Sequence, residues 1–280
     1  MYTVLISFMI SVACMVLPAL LLDWSPKWTA LPAVAIGIAA FVWLSRRISR
    51  RFEALNQAAD RELQALQQIG QQMAQRPNMR NPALLVQRLD AAVAIFRRGF
   101  FLEKWQFGVG TMLNARIGML LFSKPQLMPD APVGECIPYL EKALVKGRKA
   151  QLMSNLWPAW AMLGIAYYKR DKKDLGRVRG LFDGCLAYVR KEPLFWQIYA
   201  WMLAQEDEID AAIAVLARAN EAIPDDAPIK ENLTALQNRK KMNMRAYGEL
   251  WYQFGLELPK VAQAPKMPHP RARGGFARRR

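Results

Sequence analysis

Two kinds of hydrophobic pattern divide this chain. Over residues 3–22 (TVLISFMISVACMVLPALLL) apolar residues run on without a charge, whereas beyond residue 81 they recur three and four apart, on single helical faces. A run of about 20 apolar residues covers a bilayer core of roughly 30 Å as one helix. A second apolar run, residues 31–44, stops at Arg46 and Arg47. Between the runs lies a polar turn carrying Asp23 and Lys27, with Trp24 and Trp28 of the kind that settles at a membrane interface. The pattern predicts a transmembrane hairpin of two spans over residues 1–45. The second run is short for a span, but Trp28 and Trp43 flank it and local thinning of the bilayer accommodates the mismatch. A single span with a buried second helix is the alternative. A cleaved signal peptide fits poorly, because no basic segment precedes Tyr2 and no small-x-small site precedes Asp23. Arg46, Arg47, Arg50 and Arg51 hold the far end of the second run in the cytoplasm. Both termini are therefore expected on the cytoplasmic face of an inner membrane.

Residues 46–76 read as a helical stalk of roughly 45 Å. Ile48, Phe52, Leu55, Ala59, Leu66, Ile69 and Met73 alternate four and three apart, and Glu62 takes the one seam position that breaks the series. Such a 48–73 seam either pairs two copies of the chain as a coiled coil or folds the helix back on later helices of its own chain. A third reading is a spacer whose arginines rest on lipid phosphates. Pro77 ends the helix.

Residues 81–258 carry the periodic pattern. Asn81 and Pro82 mark a helix start, with Leu85, Leu89, Val93 and Phe96 on one face, a break at Gly99 and a second helix over residues 101–122. An early helix pair sets Asn114, Ile117, Gly118 and Leu121 against Cys136, Leu140 and Ala143. A middle one opens Trp160-x-x-Leu163-Gly164-x-x-Tyr167 and continues through Leu181, Phe182, Cys185 and Val189. A third has Trp196, Ala200 and Leu203 against Ala212, Leu216 and Ala219, closed by Pro224. Small residues where helices cross permit close approach, and large ones fill the gaps. The Asp225-Asp226-Ala227-Pro228 turn starts a further helix over residues 229–241. Tyr247, Leu250, Trp251, Phe254 and Leu258 then share a face expected to cap the array.

The Trp160–Tyr167 run resembles the opening of a tetratricopeptide repeat (TPR), and the third pair resembles the rest of that unit. The middle pair departs from the family pattern in its second helix, where Gly180 and Asp183 replace apolar residues. The resemblance implies an all-α fold with a TPR-like α-solenoid, in which at least three stacked units bury a continuous core. It also implies a concave groove lined by the first helix of each pair, for an extended segment or helix of a protein partner. Carried over residue by residue, the groove positions are Ala161, Ile165, Tyr168 and Lys169, then Gln197, Trp201 and Gln205, then Glu231, Asn238 and Arg239. Taken singly, each also reads as a solvated helix face. The basic clamp with which some TPR domains hold a carboxylate is not evident.

Composition narrows the chemistry. The chain has 280 residues, a formal net charge of +16 and a pI near 10.0, which calls for anionic partners. Much of that charge ends the chain. Residues 259–280 are Pro- and Arg-rich, without an acidic residue, and are expected to be disordered. There Lys266, Arg271, Arg273, Phe276, Arg278, Arg279 and Arg280 form a candidate anion-binding tail, for RNA through charge and stacking or for anionic lipid. Cys14, Cys136 and Cys185 have no C-x-x-C spacing and read as free thiols. His269 is the single histidine and lies in the tail. No nucleophile, metal-ligand or phosphate-loop motif is legible, so no catalytic residue, metal or cofactor is expected. The sequence reads as a membrane-anchored adaptor that recruits a protein partner; a tether for RNA or ribosomes through the basic tail is the alternative.

Overall fold

The computed structural model describes residues 1–21, 26–75, 81–171 and 175–257, and every regular element among them is helical. The helices are α1 (Tyr2–Leu21), α2 (Pro26–Gln75), α3 (Pro82–Arg98), α4 (Val109–Leu127), α5 (Ile137–Ala143), α6 (Arg148–Leu152), α7 (Trp157–Arg170), α8 (Leu175–Leu186), α9 (Pro193–Gln205), α10 (Ile209–Ala222), α11 (Ala227–Gln237) and α12 (Glu249–Tyr252).

The expected second run and stalk are one object: α2 is a continuous helix of 50 residues, about 75 Å long. Among the described residues, one helix, Ala30–Met73, contains a stretch long and apolar enough to cross a membrane; Tyr2–Pro18 is a shorter apolar helix. Small residues hold α1 against α2. Ser11 Oγ donates to the Ala33 carbonyl at 3.0 Å, and a Cβ on Gly37 would lie 2.8 Å from that of Ser11. Ser7 and Ala33 are buried there, with Ser7 Oγ bonded to the Thr3 carbonyl of its own helix at 2.7 Å. Large apolar side chains such as Phe8 and Leu31 point outward and are 65% and 81% exposed.

From Ile48 onward the same helix turns its apolar seam inward. Ile48 and Ala59 are buried, and Phe52, Leu55, Leu63 and Leu66 pack on the core, where α2 lies along α3. Much of the seam is therefore used within the chain, as the fold-back reading has it. Glu62, the residue that broke the series, pairs with Arg88 of α3 at 3.0 Å.

From α4 onward, helices pack on their neighbours in order: α4 on α5, α5 on α7, α7 on α8 and α9, α9 on α10, α10 on α11. The small residues of the sequence pattern sit at the close approaches. A Cβ on Gly164 would lie 2.3 Å from Phe182 of α8, and one on Gly118 would lie 2.5 Å from Leu140 of α5. Ala200, Ala212 and Ala219 are fully buried between α9 and α10. Asp226 caps α11, accepting from the Ile229 amide at 2.9 Å, whereas Asn81 precedes α3 without a side-chain cap.

Two expectations are corrected. Residues 101–122 do not form one helix: a 3-10 turn (Gly99–Leu102) leads into a loop, and α4 begins only after Gly108, at φ +85. The loop stays irregular because its backbone serves α1. The Lys104 and Trp105 carbonyls accept the Tyr2 and Thr3 amides at 2.9 and 3.3 Å, and the Trp105 carbonyl also takes the Thr3 hydroxyl at 2.6 Å. The face expected to cap the array is not one face either. Trp251 and Phe254 are buried, but Leu250 points to solvent, and Leu258 lies outside the described residues.

Candidate functional site

The chain that follows α11 returns across the first helices of the pairs. α11 ends at Gln237, Arg239 takes φ +53, and the Lys240 amide closes on the Ala235 carbonyl at 2.8 Å. α9 ends the same way, with Asp207 at φ +62 and the Glu208 amide on the Leu203 carbonyl at 3.0 Å. Both turns are Schellman closures with a side chain where glycine is usual.

Residues 243–257 then run as a strap over α11, α9, α7 and α4, gripped mainly by its backbone. Asn232 of α11 donates to the Asn243 carbonyl at 3.2 Å and accepts from the Asn243 amide at 2.7 Å, reading both main-chain groups of one residue. Lys169 Nζ of α7 donates to the Gly255 carbonyl at 2.7 Å, and Gln126 Nε2 of α4 to the Gln253 carbonyl at 3.1 Å. Gly255 sits at φ +59, and a Cβ there would meet Gln126 Nε2 at 2.7 Å, so this position requires glycine. Two aromatic anchors fix the register. Trp251 meets Trp201 edge-on at 5.5 Å and donates through Nε1 to Glu257 at 2.9 Å; Phe254 lies 6.1 Å from Trp157. Burial lowers the pKa of Lys169, whose ammonium also lies 5.4 Å from the Phe122 ring.

Most of the expected groove residues are taken up within the chain. Ala161, Ile165 and Gln197 have no accessible surface, and Tyr168 and Trp201 are buried. Gln197 accepts from Asn232 at 3.0 Å, Tyr168 donates to Glu206 at 2.7 Å, and Lys169 is spent on the strap. Gln205, Glu231, Asn238 and Arg239 remain exposed. Of these, Gln205 and Arg239 meet at an open cleft of about 610 Å³, together with Trp201, Asp207, Lys240 and Glu257. Glu257 also borders a second cleft of about 360 Å³ on the other side of the strap, beside Phe122 and Lys169. The tail residues Lys266, Arg271, Arg273, Phe276, Arg278, Arg279 and Arg280 lie outside the described residues.

Sequence reasoning missed Asn232, Gln126 and Gly255. Two signals were present. Asn232 interrupts the apolar series of Ile229 and Leu236, and Gly248 and Gly255, both at positive φ, bracket α12.

Burial pushes the Cys136 and Cys185 thiols up to about 12, and no cluster of His, Cys, Asp or Glu suited to a metal is present among the described residues. In comparisons with known proteins, no family model, no curated protein and no solved structure matches the chain.

Proposed function

We propose that the chain is a membrane-anchored, TPR-like scaffold that recruits a protein partner to the cytoplasmic face of an inner membrane. In this reading α1 and the first part of α2 are two spans, joined outside, and the helix pairs form a short cytoplasmic solenoid. Three features support the hairpin: small and hydroxyl residues between α1 and α2, large apolar ones facing out, and arginines where the apolar run of α2 ends.

The observation that carries the binding role is the strap. The inner face of the helix pairs already holds a turn-rich segment of the same chain by side-chain hydrogen bonds to its main chain and two aromatic anchors. This is the general way a protein surface recognises a peptide: backbone contacts supply affinity, and side-chain pockets supply register. The expected groove is thus occupied in cis, and the partner segment seats in the 610 Å³ cleft beside it, between Gln205, Asp207, Arg239 and Lys240.

The test is copurification with full-length protein in mild detergent, after nuclease, compared with a Gln205→Ala/Arg239→Glu variant altered only at exposed side chains. Protein partners that survive nuclease and are lost with the variant support the reading. Partners that vanish with nuclease, or that bind the variant equally, overturn it.

A further inference from the structure

Loop 99–108 and α6 form a foot beneath the helix pairs whose chemistry is that of a membrane surface. Phe101, Phe107 and Leu152 are 56%, 44% and 78% exposed. They belong to one end of the molecule. Lys149 of α6 stands 5.3 Å over the Phe107 ring, and the Met153 methyl lies where a Cβ on Gly108 would fall, 2.4 Å away. Lys104, Arg148 and Lys149 make no ion pair among the described residues. Glu103, the one acidic residue of the loop, folds back over Gly110.

The height of this foot is fixed by α1. The Tyr2 and Thr3 amides end on the Lys104 and Trp105 carbonyls, and the Tyr2 and Trp105 rings meet edge-on at 5.6 Å. Ser11 of α1 touches Ala33 and Gly37 of α2. Continuing antiparallel at equal rise brings Tyr2 level with Trp43, where the apolar run of α2 gives way to arginine. There Ala39, Val42 and Trp43 share a cleft of about 730 Å³ with Arg46, Arg47, Arg50 and Arg51. None of these arginines forms an ion pair among the described residues, and Arg47 lies 5.4 Å from the Trp43 ring.

From this juxtaposition we infer that the foot is a second, peripheral membrane contact. Phe101, Phe107 and Leu152 enter the headgroup–acyl boundary of the bilayer that holds α1 and α2. Lys104, Lys149 and the α2 arginines bind the phosphates of anionic phospholipids. Exposed aromatic and aliphatic side chains ringed by unpaired cations, continuous with an apolar helical pair, are what an anionic interface complements. The contact rests on the two-span reading. It adds that the helix pairs sit on the bilayer in one fixed pose, with the strap and its cleft carried above it.

The experiment places a nitroxide at Leu152→Cys in a Cys14→Ala background of the full chain. The protein is reconstituted in phosphatidylcholine vesicles with and without phosphatidylglycerol, and a label at Glu231→Cys serves as the exposed reference. The expected result is that residue 152 favours collisions with oxygen over a water-soluble nickel chelate, that residue 231 does the reverse, and that phosphatidylglycerol strengthens the difference. Lys104→Glu and Lys149→Glu should each weaken the seating by about fivefold, the factor that corresponds to ~1 kcal/mol per basic residue at an anionic surface. A label at 152 as open to nickel as the one at 231, in protein that resists alkaline carbonate, overturns the foot and leaves the spans standing. Shielding equal in both vesicles overturns the anionic-lipid assignment. Release by carbonate overturns the spans and the foot together.

Discussion

The two ends of α2 are built by opposite rules. Along its first part, small residues face inward: Ala33 and Gly37 meet Ser7 and Ser11 of α1, while Leu31, Ile38 and Trp43 stand outside. In the helix pairs, Trp160, Phe182, Phe195 and Trp251 fill the interior, and arginines and glutamates occupy the surface. One chain thus carries an inside-out and an outside-out core on a common helix. On the two-span proposal, the solvent explains the difference. In water, burying large apolar side chains drives packing, at roughly 25 cal/mol per Å²; in lipid that drive is absent, and helices associate through close backbone approach and local hydrogen bonds.

The largest effect that would break this comparison is Phe182→Ala. Phe182 is fully buried, stacked on Tyr199 at 4.9 Å, tilted against Phe195 at 4.8 Å and in contact range of Gly164. Its truncation should cost about 3–5 kcal/mol in denaturant unfolding of the helix pairs. Phe8→Ala, on the outward face of α1, should leave that transition unchanged. Equal losses from both would mean that α1 belongs to the same water-driven core.

Alkali should separate the two regions next. Cys136, Cys185, Tyr167 and Tyr199 are each pushed up to about 12, first by burial. For Tyr167 the hydrogen bond to Glu141 adds to this, and for Tyr199 the Asp183 carboxylate does. These acids ionise later in the folded than in the unfolded chain, so they stabilise the fold fully below the ordinary thiol value of 9.0. That contribution is lost as pH rises from there through about 12. Lys169, lowered by burial, works in the other sense just below 10.5. Burial raises Tyr168 and Tyr247 as well, so six groups against one predict that the melting temperature of the helix pairs falls steadily above about pH 9. The α1–α2 contact, made by the Ser11 hydroxyl on the Ala33 carbonyl and by close approach at Gly37, should hold through that range, as cross-linking between Ser11→Cys and Ala33→Cys at successive pH values would show.

How much of this was legible depends on the range over which each feature is determined. The Trp160–Tyr167 motif needs its glycine because Phe182 lies against it, and Asp226 caps α11 three residues on; both are near in sequence and were readable. The inward seam of α2 was readable as a seam but not as to its partner, because a heptad looks the same whether it faces α3 or a second copy. Two features were closed to local reasoning. The 99–108 loop is kept from helix by amides of residues 2 and 3, about a hundred positions earlier in the chain. The strap crosses the expected groove positions through contacts to Lys169 and Gln126 that span 86 and 127 positions. Carrying groove positions over from a repeat pattern takes no account of the strap, which is remote in sequence.

A smaller effect sharpens the lipid side of the comparison. Gly37→Leu places a branched side chain where even a Cβ would lie 2.8 Å from Ser11. The change should destabilise the α1–α2 contact by about 1–3 kcal/mol, the usual cost of overpacking. Hydrogen exchange of α1 amides should quicken in reconstituted protein while those of α9 stay as they were. Quickening in α9 as well would show that the two cores unfold as one.

The smallest effect lies on the water side, at the Schellman turns that end α9 and α11. Asp207 and Arg239 hold left-handed backbones that glycine adopts without strain, so Asp207→Gly and Arg239→Gly should each raise stability by about 1 kcal/mol. Both side chains border the cleft proposed for the partner, one acidic and one basic. A stabilising substitution that also weakens partner binding would mean the strain persists because the charges are used there. A gain in melting temperature with partner binding intact would leave these two residues as strained turns and move the recognition to Gln205, Lys240 and Glu257 on the same cleft.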